Sequence, residues 1–166
     1  MREDFDPRQV QCFRFVGAEY AGGEARLHYA LDDLQLTEVV RFPGAPEVLP
    51  QRAQAVASAL SMLHWLAGTS YYKAAIPRQI EFAGPLPDPQ AAELITQVYV
   101  HGLAEFAYVN QVTLADRVVI PRVAAASEAS PLSLPRRALV AIGGGKDSLV
   151  SIDLLSGRDE PFAVTW

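Results

Sequence analysis

The sequence predicts an α/β protein: an N-terminal α+β module of antiparallel strands and two helices, followed by the first βαβ unit of a nucleotide-binding domain. Three observations predict this order. Residues 11–42 contain short segments rich in aromatic and β-branched side chains, separated by turn signals. Two longer segments with helical spacing of apolar residues follow. Near the end, an apolar segment stops at consecutive glycines, and a third helical segment begins.

The first module opens with a predicted antiparallel meander. Residues 11–20 form the first strand, and Ala21-Gly22-Gly23-Glu24 is a hairpin turn signal. Residues 26–31 alternate polar and apolar side chains, as a strand with one buried face does. Asp32-Asp33 ends this strand, and residues 36–42 form a third strand.

Two helices complete the predicted module. The first begins near Gln51, after a proline-rich loop, and Gly68-Thr69 ends it. Its apolar face comprises Ala53, Val56, Ala57, Leu60, Leu63, His64 and Ala67. The second begins at Asp88-Pro89, a cap followed by proline at the first helical position, and runs to about Val109. Its polar stripe comprises Glu93, Gln97, His101 and Glu105. Short strands are predicted at residues 78–82 and 118–121.

The predicted domain boundaries are residues 1–123 for the module, 124–135 for a linker rich in Ala, Ser and Pro, and 136–166 for the nucleotide-binding unit. Residues 161–166 form the second strand of that unit. Two parallel strands and one helix are too few for a stable domain. We therefore expect this unit to be truncated and the chain to be the N-terminal part of a longer protein, inactive by itself.

Composition excludes several function classes. The 166 residues have a net charge of −5, with 50% hydrophobic and 20% charged residues, which is typical of a soluble globular protein. This acidic balance argues against a nucleic-acid partner. Cys12 is the only cysteine, so neither an intrachain disulfide nor a cysteine metal cluster forms. No segment has the apolar length of a signal peptide core or membrane span, so we expect a cytoplasmic protein with no membrane partner.

Residues 138–142 form a strand that runs into Gly143-Gly144-Gly145-Lys146-Asp147-Ser148. Glycines let an anion approach the backbone, and the first N–H groups of the following helix point at it. Lys146 adds a positive charge, and Ser148 adds a hydroxyl. Asp147 would either cap the helix or bind a magnesium ion through water. A plain strand-to-helix turn is the alternative interpretation.

The spacing of the glycine, lysine and serine residues distinguishes between the known types of phosphate-binding loop. The Walker pattern fails at Val140 and Asp147, and the dinucleotide pattern fails at Ser148. The stretch resembles the PP-loop of the ATP pyrophosphatases, Ser-Gly-Gly-x-Asp-Ser, except that Gly143 replaces the first serine. This resemblance implies a Rossmann-like fold of the adenine nucleotide α-hydrolase type. It also implies ATP bound by Gly143, Gly144, Gly145, Lys146, Asp147 and Ser148.

Residues 58–73, 102–110 and 142–148 are together similar to the MurL family of UDP-N-acetylmuramoyl-L-alanyl-L-glutamate epimerases. The resemblance covers most of the chain. It implies ATP- and magnesium-dependent inversion of the terminal L-glutamate of UDP-MurNAc-L-Ala-L-Glu in peptidoglycan precursor synthesis. It further implies a functional link to a Mur ligase that adds L-glutamate.

An ATP loop suits this reaction. A charged α-carboxylate makes the adjacent Cα–H a poor acid, and adenylation would remove that charge before a base takes the proton. The sequence does not identify the proton-transferring residues. Two alternatives stay open: another PP-loop ATPase that adenylates a different carboxylate or a base, and a catalytically incomplete module.

Other residues carry weaker signals. Tyr71, Tyr72 and Lys73 are candidates for binding the substrate's sugar, uracil or diphosphate, with packing as the alternative. His64 is predicted to be a core histidine, and Cys12 a core residue rather than a nucleophile. His101 and Glu105 lie one helical turn apart, where a solvated face is favoured over an acid–base pair.

Overall fold

The chain divides into two units, residues 1–128 and 129–166. The structure, a computed structural model, describes residues 5–125, 133–158 and 161–165. The first unit has a mainly antiparallel sheet with helices, and the second contains a βαβ unit. Most of the predicted linker, residues 124–135, lies outside the described residues.

The sheet of the first unit has the order β3-β2-β1-β4. Its strands are β1 (Cys12–Ala21), β2 (Glu24–Leu31), β3 (Leu34–Arg41) and β4 (Gln79–Phe82). The first three pair antiparallel, which confirms the predicted meander. The predicted strand at residues 78–82 is also confirmed, and it pairs in parallel with β1.

Two-residue turns close both hairpins. Gly22 and Gly23 have φ of 57° and 76°, the left-handed values that such a turn requires and that glycine adopts at low cost. At the second turn Asp32 has φ of 48°, and its carboxylate accepts a 2.9 Å bond from the backbone N–H of Cys12. That carboxylate thereby ties the turn back to the start of β1.

The first unit has more helices than the two predicted. They are α1 (Ala53–Ala67), α2 (Thr69–Tyr72), α3 (Pro89–Gly102) and α4 (Ala104–Val109), with a 3-10 turn at Pro50–Arg52. The start of α3 is confirmed: the Asp88 carboxylate accepts a 2.8 Å bond from the backbone N–H of Ala91.

Two predicted elements are wrong. The single helix to Val109 breaks at Leu103, because Gly102 weakens the helix and the buried Leu103 leaves helical geometry at φ −98° and ψ 13°. Residues 118–121 form no strand in the described structure. There the backbone N–H of Val118 bonds back to Leu114 in a turn, and Pro121 has no N–H to offer a sheet.

The core of the first unit is aromatic. Phe13, Phe15 and Tyr29 project from the sheet, and their rings lie 5.0 to 6.0 Å apart. Helix α1 packs against β1 and β2, and α3 packs against α1. The buried Tyr99 of α3 donates a 2.9 Å hydrogen bond to the carbonyl of Trp65 at the end of α1. This bond joins α3 to the last turn of α1.

The second unit has the predicted strand–helix–strand order. Strand β5 (Ala138–Ala141) leads into α5 (Lys146–Ser156), and β6 (Phe162–Thr165) follows. The two strands pair in parallel, so the βαβ unit is confirmed. Several apolar side chains of this unit are exposed: Leu139, Leu149, Val150, Leu154 and Val164.

Among the helices that the structure describes, none combines the length and the apolar character needed to cross a membrane.

Candidate functional site

The glycine loop, residues 143–148, joins strand β5 to helix α5 as predicted. The backbone N–H of Ile142 donates a 2.7 Å bond to the carbonyl of Thr165, so the neighbouring strand β6 holds the start of the loop. Gly145 is the residue at the start of α5, with extended φ and ψ of −89° and 163°. All three glycines are exposed. The loop therefore lies open on the end of a two-stranded parallel sheet.

Only one of the three glycines is required by the backbone. Gly144 has φ of 77°, which side chains other than glycine rarely adopt. Gly143 and Gly145 have no such value, and a Cβ built on either would meet nothing within 4 Å. Folding of the described chain thus gives no steric reason for glycine at 143 or 145. Glycine there keeps the backbone open to a group that approaches from outside.

Helix α5 directs its first N–H groups and the positive end of its dipole at this loop. Lys146 and Asp147 lie exposed in its first turn. The Ser148 hydroxyl donates a 2.8 Å bond to the Gly145 carbonyl, which holds the turn in shape. Asp147 is not the helix cap, because Gly145 occupies that position and provides no side chain.

This arrangement suits a phosphate group: open backbone, helix N-terminus and a lysine on one short turn. Within the described residues, no three His, Cys, Asp or Glu side chains converge on a metal position. Asp147 remains the predicted contact to magnesium through water, where the ion would be shared with the phosphates.

The substrate candidates at residues 71–73 have very different environments. Tyr72 is 0% exposed, contacts the ring of Phe13 edge-on and donates a 3.2 Å bond to the Pro77 carbonyl. Tyr71 stacks on Tyr29 at 4.8 Å and donates a 2.6 Å bond to Glu38. Both tyrosines therefore have packing roles. The side chain of Lys73 is exposed, and its contact with substrate stays a prediction.

His64 and Cys12 are core residues, as predicted. His64 is 4% exposed, and its Nε2 donates a 2.9 Å bond to the His28 carbonyl. Burial lowers the pKa of His64, so the neutral ring is favoured. Burial, and then the nearby Glu81 carboxylate, raise the pKa of Cys12 to about 11. A thiol with that pKa is a poor nucleophile at neutral pH.

The structure does not unite His101 and Glu105 on one helix. His101 lies in α3 and Glu105 in α4, on either side of the break at Leu103. Both side chains are exposed, as predicted for a solvated face.

Sequence reasoning missed one group of residues. Arg8, Arg78 and Arg117 line a cleft together with Lys73. These residues come from widely separated parts of the chain, and no local pattern marks them. Of these four residues, the sequence pattern indicated Lys73 alone, as a candidate for binding the substrate next to Tyr71 and Tyr72.

Comparison with known proteins covers almost the whole chain. The family described as MurL N-terminal domain matches residues 4–166. An enzyme of Xanthomonas oryzae pv. oryzae named UDP-N-acetyl-alpha-D-muramoyl-L-alanyl-L-glutamate epimerase is 46% identical over 98% of this chain and 37% of its own length. Proteins with the same name from Micromonospora sp. and Salinispora tropica are 40% and 37% identical, over 95% of this chain.

The chain thus spans about 37% to 38% of the length of these relatives. No solved structure matches it.

Proposed function

The chain belongs to the MurL N-terminal domain family, and from this premise we propose that it forms the N-terminal part of a UDP-MurNAc-L-Ala-L-Glu epimerase. The enzyme would use ATP and magnesium to invert the terminal L-glutamate to the D form. This reaction belongs to cytoplasmic synthesis of peptidoglycan precursors. Its substrate requires an earlier ligase that attaches L-glutamate, which is the proposed functional link to a Mur ligase.

One observation carries the ATP proposal: glycine at positions 143 and 145, where neither the backbone angles nor neighbouring atoms require it. A phosphate that bonds to main-chain N–H groups needs that space. Lys146 would pair with phosphate oxygens, and the Ser148 hydroxyl would hold the Gly145 carbonyl away from them. Asp147 would hold magnesium through water.

ATP would supply the activation of the glutamate α-carboxylate: a carboxylate oxygen bonds to the α-phosphorus, and pyrophosphate leaves. The uncharged acyl group acidifies Cα–H, a base removes that proton, and an acid returns one to the opposite face. Water then releases AMP and restores the carboxylate. The loop residues of this chain would bind and orient the phosphates throughout.

The exposed apolar side chains of the second unit support a longer enzyme. Leu149, Val150 and Leu154 of α5 are each more than half exposed. A parallel sheet normally has both faces covered, and two strands are too few for that. Further strands and helices in the full-length protein would bury these side chains.

The test uses the full-length protein that carries this chain. With UDP-MurNAc-L-Ala-L-Glu, ATP and magnesium in deuterated water, we expect inversion at the glutamate Cα with deuterium incorporated there. Asp147→Asn should abolish the reaction, and the matched change Asp153→Asn, on the same helix but outside the loop, should not. ATP cleavage that requires a different acceptor, without exchange at Cα, would favour another PP-loop ATPase.

A further inference from the structure

A cationic cleft in the first unit contains Lys73, one of the predicted substrate contacts. It encloses about 610 Å³, within the usual range for small-molecule sites of roughly 300–1,000 Å³. Arg8, Lys73, Arg78 and Arg117 line it, and none of the described residues that line it is acidic. In a chain with a net charge of −5, this local excess of positive charge is unexpected.

The four cations keep their charges available. Within the described residues, none of them forms an ion pair with a carboxylate. The Asp6 carboxylate also attracts the Arg8 charge, but it accepts its hydrogen bonds from the backbone N–H of Arg8 and the amide of Gln9, and it does not line the cleft. Like charges around one concavity repel each other, and an anion bound among them would relieve that repulsion.

The backbone along this cleft is held in a defined conformation by surrounding contacts. Ile76 has φ of 49°, a strained value for a β-branched residue, and its side chain is buried. The guanidinium of Arg117 donates a 3.1 Å bond to the Ile76 carbonyl, and the Tyr72 hydroxyl bonds to the next carbonyl, at Pro77. These bonds hold the segment from Lys73 to Arg78 in one conformation. Strain maintained by surrounding contacts is typical of ligand sites.

We propose that this cleft binds the diphosphate of the nucleotide-sugar substrate through Lys73, Arg78 and Arg117. The bond to the Ile76 carbonyl holds the Arg117 guanidinium in place, whereas the side chains of Lys73 and Arg78 make no such bond to the described residues. Arginine and lysine are the residues that bind phosphate oxygens. The cleft also contains the side-chain amides of Gln11 and Asn110. Each amide nitrogen donates one bond to a backbone carbonyl, of Gln9 and Phe106 respectively, and has a second N–H for sugar or base oxygens.

This inference rests on the proposed function. There the glutamate end of the substrate reacts with ATP, whose phosphates the glycine loop of the other unit binds. The diphosphate is the other anionic part of the substrate, and it is available for a separate site. A diphosphate group also occurs as free pyrophosphate, so the test must distinguish binding of the nucleotide sugar from binding of pyrophosphate.

The first experiment titrates the full-length protein that carries this chain with UDP, uridine and inorganic pyrophosphate by calorimetry. UDP should bind, uridine should bind at least tenfold more weakly, and pyrophosphate should bind more weakly than UDP. Lys73→Gln and Arg78→Gln should each weaken UDP binding about tenfold, as expected for a lost bond to a charged group. Arg52→Gln, an exposed arginine outside the cleft, is the matched control and should bind normally.

Both cleft side chains are exposed and make no hydrogen bond to other described residues, so the variants should keep the wild-type unfolding temperature. Absence of UDP binding, or equal weakening by Arg52→Gln, would overturn the proposal. Pyrophosphate binding that is tighter than UDP binding and that Lys73→Gln and Arg78→Gln both weaken would overturn the assignment to the nucleotide sugar.

The second experiment separates this proposal from the proposed function. In the full-length enzyme, Lys73→Gln and Arg78→Gln should raise the KM for UDP-MurNAc-L-Ala-L-Glu about tenfold and leave kcat nearly unchanged, because a remote diphosphate contact binds substrate and transition state alike. Epimerisation with an unchanged KM in both variants would contradict the proposal that the cleft binds the diphosphate, but not the proposed epimerase activity. UDP binding to the cleft without any epimerisation would contradict the proposed epimerase activity, but not the proposal for the cleft.

Discussion

The substitutions Gly143→Ala and Gly145→Ala distinguish a loop that binds a ligand from a turn that serves only the fold. A Cβ at either position meets nothing within 4 Å, and neither residue has a left-handed φ. The change should therefore alter the free energy of unfolding by no more than about 1 kcal/mol, and in the stabilising direction, because alanine restricts the unfolded chain. A turn that serves only the fold would show no other effect.

Binding of ATP should respond differently. If main-chain N–H groups contact a phosphate, the added methyl group displaces it and weakens a hydrogen bond to a charged group. Such a bond contributes about 1.5–3 kcal/mol, which corresponds to a roughly 10- to 150-fold rise in the Kd for ATP-magnesium. Gly144→Ala should weaken ATP binding too, but it should also destabilise the second unit by about 1–2 kcal/mol, because residue 144 has a φ of 77°.

The assay is calorimetric titration of the full-length protein with ATP-magnesium, beside urea unfolding of each variant. Gly84→Ala is the control, because a Cβ there also meets nothing within 4 Å and Gly84 lies outside the loop. Wild-type affinity in both Gly143→Ala and Gly145→Ala would refute the inference that these glycines make room for phosphate.

Three further predictions concern the first unit. Gly68→Ala should lower the free energy of unfolding by about 1–3 kcal/mol, because its Cβ would lie 2.6 Å from Tyr99 Oη and 2.7 Å from Phe15 Cε1. Its control is Gly102→Ala, whose Cβ would have its nearest neighbour at 3.9 Å and which should change the free energy of unfolding by less than about 1 kcal/mol in urea unfolding. Burial lowers the pKa of His64 in the folded state, so the unfolded state binds that proton more readily. Stability should therefore fall as the pH drops below 6.5, and His64→Gln should reduce that slope between pH 7.5 and 5.5. Cys12, with its pKa raised by burial from 9.0 to about 11, should react with iodoacetamide at pH 8 about 100-fold more slowly in the folded than in the unfolded protein, and equal rates would contradict its burial.

Local signals predicted most of the elements within each of the two units. Gly22-Gly23 marked a hairpin because a two-residue turn needs left-handed angles, and the structure has them. Asp88-Pro89 marked the start of α3 through a side-chain cap that the structure shows. The strand–glycine–helix order of the second unit followed from an apolar segment that stops at three glycines.

Features that depend on tertiary contacts escaped prediction. The break at Leu103 reflects the burial of one side chain, and a continuous apolar pattern across Gly102 concealed it. Val118 and Ile120 are buried in alternation, like residues of a strand, but no strand pairs with that segment in the described structure. The cationic cleft joins Arg8 to Arg117 through folding alone. Sequence spacing carries no information about such long-range neighbours.

The most direct test of the account is the nucleotide product formed during epimerisation by the full-length protein. With radiolabelled ATP and UDP-MurNAc-L-Ala-L-Glu, we expect AMP to form only when the substrate is present, at no less than one AMP for each glutamate inverted. Lys146→Ala should abolish both AMP formation and inversion together. Inversion that proceeds without ATP, or with ADP as the sole nucleotide product, would contradict the claim that the glycine loop serves an epimerase through adenylation.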